Sequence, residues 1–330
     1  MRAYEPKQRR KAVMTRSLRR VLLHTSAVAA LAVSLISCTA TDSDTNTLSV
    51  GFVVDPSWAQ IPVAADAGLF ADQGIEVNVI NFSSGVEALQ AVTAGQVDIT
   101  TAADVPTSAA LARTPSLRIV ADGSRWEGSK IVTGRSSGIR TVDDLAGRTI
   151  GTPLGTSAAY YISNALETAD VTAELVQVAP PAIVTAITQR NVDAVSIFQP
   201  YQAQSINALG PDAVELTGGA YSQHSLYLAT EPTISAKSEA ITKFFAAIRQ
   251  AGVKLADNNS DAIGAVASAT QLDADLIRTI LSEFDFTVQL TPDLAEKLQQ
   301  LATWAKSEGN IEPNVELPDY SGVLDTQFVG

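Results

Sequence analysis

The sequence predicts an α/β protein of two similar units, each a mostly parallel sheet wound with helices on both faces, joined by two crossing segments. Three observations predict it. From Leu48 onward, short β-branched runs alternate with Ala-rich segments of helical period, which is how a parallel sheet covered on both faces reads. The alternation begins again near residue 130. Beyond residue 238 the pattern is helical alone, so the tail is expected to pack back on the first unit.

In the first unit, Leu48–Val54, Ile75–Phe82, Val97–Ala102 and Leu117–Ala121 read as strands, with helices or helical turns between them. In the second, Lys130–Gly134, Thr149–Gly151, Glu174–Val178 and Val192–Phe198 read as strands. Its expected helices are Val142–Leu145, Ser157–Thr168, Ala182–Thr188 and Tyr201–Ala208. The tail has helical spacing over Ser238–Ala256, Asp261–Ala269, Asp273–Phe284 and Pro292–Ser307, the last opened by Thr291-Pro292-Asp293. A return near Ser225–Ala229 brings the chain back, and the crossings near Ser129–Arg135 and His224–Ala229 are expected to act as a hinge.

Composition narrows the function. The 330 residues are 46% apolar and 18% charged, enough apolar material for sizeable cores and too little charge for a disordered chain. Eight of the 23 basic residues lie in 1–37, against the single acid Glu5, so the rest carries 15 basic and 34 acidic side chains. A nucleic-acid binder needs a basic face and is not expected. The basic stretch ending at Arg20 leads into an apolar run, Val21 to Ile36, too short for a membrane span and of the length of an export signal. Leu35-Ile36-Ser37-Cys38 closes it, and Cys38 is the only cysteine, so no intramolecular disulfide is possible. The polar stretch Thr39–Thr47 reads as a tether.

Several motifs, taken in order, resemble a known family. They are Gly51-Phe-Val-Val, Pro62-Val-Ala-Ala-Asp-Ala-Gly-Leu-Phe70, Gly74-Ile-Glu-Val, Phe82-Ser-Ser-Gly85, Ala94-Gly-Gln-Val-Asp98, Leu145-Ala-Gly-Arg-Thr-Ile-Gly-Thr-Pro-Leu-Gly-Thr-Ser157 and Val192-Asp-Ala-Val. Together they resemble the nitrate/sulfonate/taurine/thiamin-precursor group of periplasmic binding proteins, over nearly all of residues 48–320. The resemblance implies a two-lobed type II binding protein that hands a small-molecule solute to an ABC permease and its ATPase, without enzymatic chemistry, cofactor or metal. Residues 1–37 would be a lipoprotein signal, Cys38 the acylated anchor to the membrane and 38–47 the tether. Residues 48–131 with 226–330 would form one lobe and 132–225 the other. The expected protein is monomeric and extracytoplasmic.

Doubly wound sheets bind ligands beyond the carboxyl ends of their strands, where helices begin. Ser83, Ser84 and Gly85 lie at such a junction in the first unit, and Gly155, Thr156 and Ser157 at the corresponding one in the second. Backbone N–H groups and hydroxyls there could grip a polar group from both sides; each junction also reads as an ordinary helix cap. Asp55 and Trp58 follow the first strand, where Trp58 could stack on a ligand or cover a lobe edge. Asp104 reads as a helix N-cap or a ligand contact. Trp126 and Glu127 could offer an aromatic plate with an acid. Phe198, Gln199 and Tyr201 end a strand of the second unit, where similar proteins often have an aromatic–acid–Pro–Tyr run; here Gln199 replaces the acid.

No Lys or Arg occurs between Arg20 and Arg113. An anionic solute such as a sulfonate would therefore rest on helix N-termini and hydroxyls, and a neutral or cationic heteroaromatic held by aromatic side chains and an acid fits at least as well. Two alternatives belong to other classes. One is an enzyme like the fungal pyrimidine-precursor synthase of the same fold family, which uses pyridoxal phosphate; it needs a reactive histidine and a cysteine-rich loop, whereas only His224 follows the signal. The other is a docking or sensory lipoprotein.

Overall fold

The computed structural model describes residues 45–329; the expected signal, Cys38 and most of the tether lie outside them. The first run of elements is β1 (Thr47–Val53), α1 (Gln60–Asp66), α2 (Leu69–Asp72), β2 (Glu76–Phe82), α3 (Gly85–Thr93), β3 (Ile99–Ala103), α4 (Asp104–Leu111) and β4 (Leu117–Trp126). The second is β5 (Ile131–Gly134), β6 (Thr149–Thr152), α5 (Ser157–Thr168), β7 (Glu174–Gln177), α6 (Ile183–Thr188), β8 (Ala194–Ser196), α7 (Tyr201–Leu209) and β9 (Ala213–Leu216). The chain then returns through β10 (Gln223–Thr230), α8 (Glu231–Ala256), α9 (Ser260–Thr270), α10 (Ala274–Leu281), β11 (Phe284–Asp285) and α11 (Asp293–Ser307).

These strands make two sheets. The first has the order β2-β1-β3-β10-β4-β11 and the second β7-β6-β8-β5-β9. β1 pairs in parallel with β2 and β3, whereas β10 runs antiparallel to both β3 and β4. In the second sheet β6 is parallel to β7 and β8, and β5 is antiparallel to β8 and β9. The inner strands of both sheets are buried on two faces, alternate residues pointing to opposite sides, whereas the edge strands β2 and β7 are largely exposed. Along β10, Leu226 and Leu228 join a core with α3 and α11, while Tyr227 and Ala229 join another with α1 and α8. In the second sheet Ile131 and Val132 divide between faces in the same way.

Several boundaries differ from the sequence reading, each for a physical reason. Residues 142–145 make only a 3₁₀ turn, Asp143–Leu145. Helix α8 begins at Glu231, capped by Thr230, but breaks at Lys237, where the side chain reaches back to Thr47 O and Asp98 Oδ2, both at 2.9 Å. Phe284 leaves the helical pattern at Leu281 to form an edge strand on β4, stacking on Trp126 and Phe286. Strand β9 lacks any alternation long enough to announce it. The sheets exchange chain over 127–130 and 217–222, so Ile131 pairs in the second sheet and residues 223–225 in the first, opposite to the expected boundaries.

Candidate functional site

Strand β1 ends at a tight turn in which Asp55 caps the following 3₁₀ turn, accepting from Ser57 N at 2.7 Å. This turn buries Trp58, 2% exposed, in the first lobe's core. Across β1, the junction before α3 is capped by Ser84, whose Oγ accepts from Glu87 N at 3.4 Å. Gly85 lets α3 approach β3 closely there, because a Cβ would lie 3.1 Å from Ala102 Cβ and 3.2 Å from its Cα. The second lobe supplies the start of α5.

Val53, Asp55, Trp58, Gly85, Ala103 and Pro106 of the first lobe meet Thr156, Ser157 and Phe198 of the second around a narrow cleft, closed behind by Gln223. Its volume is ≈ 20 Å³, room for about one water. The N-termini of α3, α4 and α5 all end on it, a convergence that favours hydrogen-bond acceptors. Burial pushes the Asp55 carboxyl up to about 7, against two hydrogen bonds from Ser57. Trp58 Nε1 is buried and finds no acceptor among the described residues. No Lys or Arg lines the cleft. The wall therefore offers an indole donor, a titratable carboxyl, helix-start N–H groups and the Phe198 ring.

Six of the sequence-expected site residues thus come together: Asp55, Trp58, Gly85, Thr156, Ser157 and Phe198. The others stand elsewhere. Ser83 Oγ donates to Glu87 Oε2 at 2.8 Å, and Ser84 supports the cleft floor as a cap. Gly155 lies beside the cleft against Asn310. Tyr201 packs edge-on to Phe198 at 6.2 Å, and its hydroxyl is pushed up by burial and then by the charges of Asp55 and Glu87. Gln199 Oε1 accepts from Ala203 N at 3.2 Å, so its side chain caps α7. Trp126 stacks on Phe284 and donates to Glu283 at 3.0 Å, away from the cleft, and Glu127 borders a separate cavity between the crossings. Val53, Ala103, Pro106 and Gln223 were missed; only their positions at strand ends and in the return strand could have pointed to them.

Asp104 is not on the cleft wall. It is fully buried and takes hydrogen bonds from the Tyr221 hydroxyl and from His224 N at 3.2 Å, with Lys297 Nζ 3.8 Å away. Burial raises its pKa, opposed first by Lys297 and then by His224. Lys297 also donates to Ser222 O. The second crossing is therefore tied to the first lobe at Tyr221 and Ser222, and Tyr221 is also hydrogen-bonded to Ser157 and packed edge-on to Tyr160 of the second lobe at 5.2 Å. Just upstream, Gly218 N donates to Tyr161 OH at 3.2 Å and Ala220 N to Asn164 Oδ1 at 3.0 Å, which ties those residues to the second lobe. In the first crossing, Gln202 of α7 holds Gly128 O at 3.0 Å and Lys130 N at 2.9 Å.

Residues 55–262 match the family described as NMT1/THI5 like. The chain belongs to that family. A binding protein of Brucella abortus (strain 2308) is 26% identical over 218 residues, covering 63% of this chain and 67% of the relative. The periplasmic aliphatic sulphonate binding protein SsuA from Escherichia coli shares the fold with a TM-score of 0.71 at 21% identity, covering 84% of this chain and 97% of that one. The desulfurization enzyme DSZB does so with a TM-score of 0.63 at 14% identity, covering 86% and 97%. The architecture is the two-lobed type II periplasmic-binding-protein fold, which also carries catalysis. Among the described residues no group of three or more His, Cys, Asp or Glu is placed to hold a metal, and no helix is long and apolar enough to cross a membrane.

Proposed function

We propose that this NMT1/THI5-like protein is the extracytoplasmic solute receptor of an ABC importer. It is lipid-anchored through Cys38 after removal of residues 1–37, acts as a monomer and performs no chemistry on its solute. The observation that carries the reading is the meeting of the α3 and α5 N-termini, from opposite lobes, at one buried cleft beside Trp58 and Asp55. The solute is a small organic molecule of the alkanesulfonate or taurine class, or a pyrimidine-like heteroaromatic. The sulphonate-binding neighbour and the Brucella binding protein support a solute-binding role.

Closure turns about the two crossings. Ala220 is tied to the second lobe while Tyr221 bridges both lobes, and Trp126, fixed to Glu283, is followed within two residues by Gly128, fixed to Gln202. Each crossing thus passes between the lobes over only a few residues. Solute contacts from both lobes stabilise the closed form that the permease reads.

A thermal-unfolding screen over sulfonates, taurine, nitrate and pyrimidines tests the reading. A true ligand stabilises by ~2.7 kcal/mol at a hundredfold excess over Kd; a protein that only docks another gains nothing from any of them. The pH dependence then separates the classes. A solute whose donor or positive charge faces Asp55 binds more tightly as pH rises through about 7, and a purely anionic one binds less tightly.

A further inference from the structure

Residues 220–222 of the second crossing run between two cavities, one of ≈ 360 Å³ shared with Glu127 and Lys130 of the first crossing and one of ≈ 430 Å³ against α11. With open space on either side, the crossing is gripped from both lobes at one side chain, Tyr221, which is 8% exposed. Its hydroxyl donates to Asp104 Oδ1 at the start of α4 in the first lobe. From the second lobe, Ser157 of α5 hydrogen-bonds the same hydroxyl, and Tyr160 packs edge-on to the ring at 5.2 Å. Lys297 Nζ of α11 stands 5.4 Å from the ring centre and donates to Ser222 O. The direction of the hydrogen bonds is fixed at the Asp104 end. Oδ1 also accepts from Val105 N at 2.9 Å, and Oδ2 accepts from His224 N at 3.2 Å with Lys297 Nζ 3.8 Å away. Among the described residues every hydrogen-bonding group at this carboxyl is a donor, so the Tyr221 proton points to Asp104 and the Tyr221 oxygen accepts from Ser157. Ser157 lines the cleft, and with its proton spent on Tyr221 it turns only lone pairs toward a solute.

We infer that Tyr221 is a positioning residue for closure, a latch whose hydroxyl joins the cleft wall of one lobe to a buried carboxyl of the other. This rests on the closing-clamp reading above. The chain from Ser157 through Tyr221 to Asp104 crosses the lobe boundary in two consecutive hydrogen bonds, both sheltered from water, and bonds in series polarise one another. Opening the lobes draws Ser157 away from Asp104 and breaks one of the two, so the latch favours the closed form. A solute that donates to Ser157 strengthens the chain, and one that takes the Ser157 proton breaks it. The cleft is coupled in this way to the crossing behind it.

Pulsed dipolar spectroscopy on the solute-free mature chain tests the latch, with spin labels at Glu76→Cys and Glu174→Cys and with Cys38 replaced. Tyr221→Phe keeps the ring and loses the hydroxyl; the ratio of short to long interlobe distances is expected to fall about fivefold, the worth of one buried hydrogen bond. Tyr161→Phe is the control, because that hydroxyl accepts from Gly218 N at 3.2 Å within the second lobe alone; it lowers stability and leaves the distances unchanged. Ser157→Ala spares Asp104, shifts the distances the same way by a smaller factor, and decides the matter if far-UV dichroism shows that Tyr221→Phe does not fold. Parent distances in Tyr221→Phe, or in Ser157→Ala where that variant decides, overturn the latch, and so do equal shifts in Tyr221→Phe and Tyr161→Phe. Because no solute is present in these measurements, failure of the latch leaves the solute-binding reading standing, and that reading falls only if the solute screen shows no stabilisation.

Discussion

At Asp55, a carboxyl taken from water by Trp58 and the cleft wall holds its proton to about 7 rather than 3.8. A shift of that size corresponds to about 4 kcal/mol. The sign follows from proton counting: between pH 4 and 7 the folded chain holds a proton here that the unfolded chain has released, so stability falls as pH rises through that window and is level above it. Asp55→Asn should remove this decline, seen by comparing denaturant midpoints at pH 5 and pH 8 with the parent. Trp58 is the second decisive side chain. Because its indole N–H lacks an acceptor, Trp58→Phe should leave the fold near parent stability yet weaken any solute that accepts from it by about 1 kcal/mol, measured by titration. In the core, Phe244 packs against Phe70 at 5.4 Å and Phe245 at 5.2 Å; Phe244→Ala should cost about 3–5 kcal/mol in denaturant unfolding. Residue types alone could name Asp55, Trp58 and Ser157, since each stands at a strand-to-helix junction. They could not separate Asp104 and Trp126 from these, because whether a buried polar group faces a cleft or serves as an anchor is decided by partners distant in sequence, Tyr221 and Lys297 for the first and Glu283 for the second; Gln199 is turned aside by a local partner, Ala203 N.

Elements carry the hinge. The second crossing passes from one lobe's hydrogen bonds to the other's over Ala220–Ser222, with Tyr221 held by both, and Gly219 is obligatory just before it, at φ +79 with a Cβ position only 2.6 Å from Asn164 Oδ1. Asn164→Ala should raise the hydrogen-exchange rate of the Ala220 amide about tenfold while leaving the Ser225 and Tyr227 amides of β10 unchanged. Equal loosening of both would mean that the crossing is not divided between lobes. The strand and helix alternation was legible for β1 to β8 because burial on both faces makes the inner strands apolar throughout and helices Ala-rich with a polar stripe, and the exposed edge strands β2 and β7 still carry short apolar runs. The tail was legible as helices and the return near Ser225–Ala229 falls on β10, but neither its place between two strands nor the edge strand β11 was legible. A strand that enters the middle of a sheet from elsewhere in the chain, as β10 does between β3 and β4, looks locally like any short apolar run. The kink at Lys237 shows a tertiary ion pair with Asp98 overriding helical propensity.

For the whole molecule, the lobes touch beyond the cleft. Tyr160 of α5 packs edge-on against Trp304 of α11 at 5.1 Å and against Tyr221 at 5.2 Å, while Val105 and Leu301 of the first lobe join the second lobe's core. This apolar seam favours the closed arrangement before any solute contributes, and its strength sets how much of a solute's intrinsic affinity is spent on closing. Spin labels at Glu76→Cys and Glu174→Cys, on the exposed edges of the two sheets, with Cys38 replaced, would report the interlobe distance by pulsed dipolar spectroscopy. The account predicts that a solute found to stabilise the chain shifts this distance to one narrow population matching the structure described here, with a broader and longer distribution in its absence. A distribution that does not change on saturating such a solute would contradict a clamp closing on its ligand.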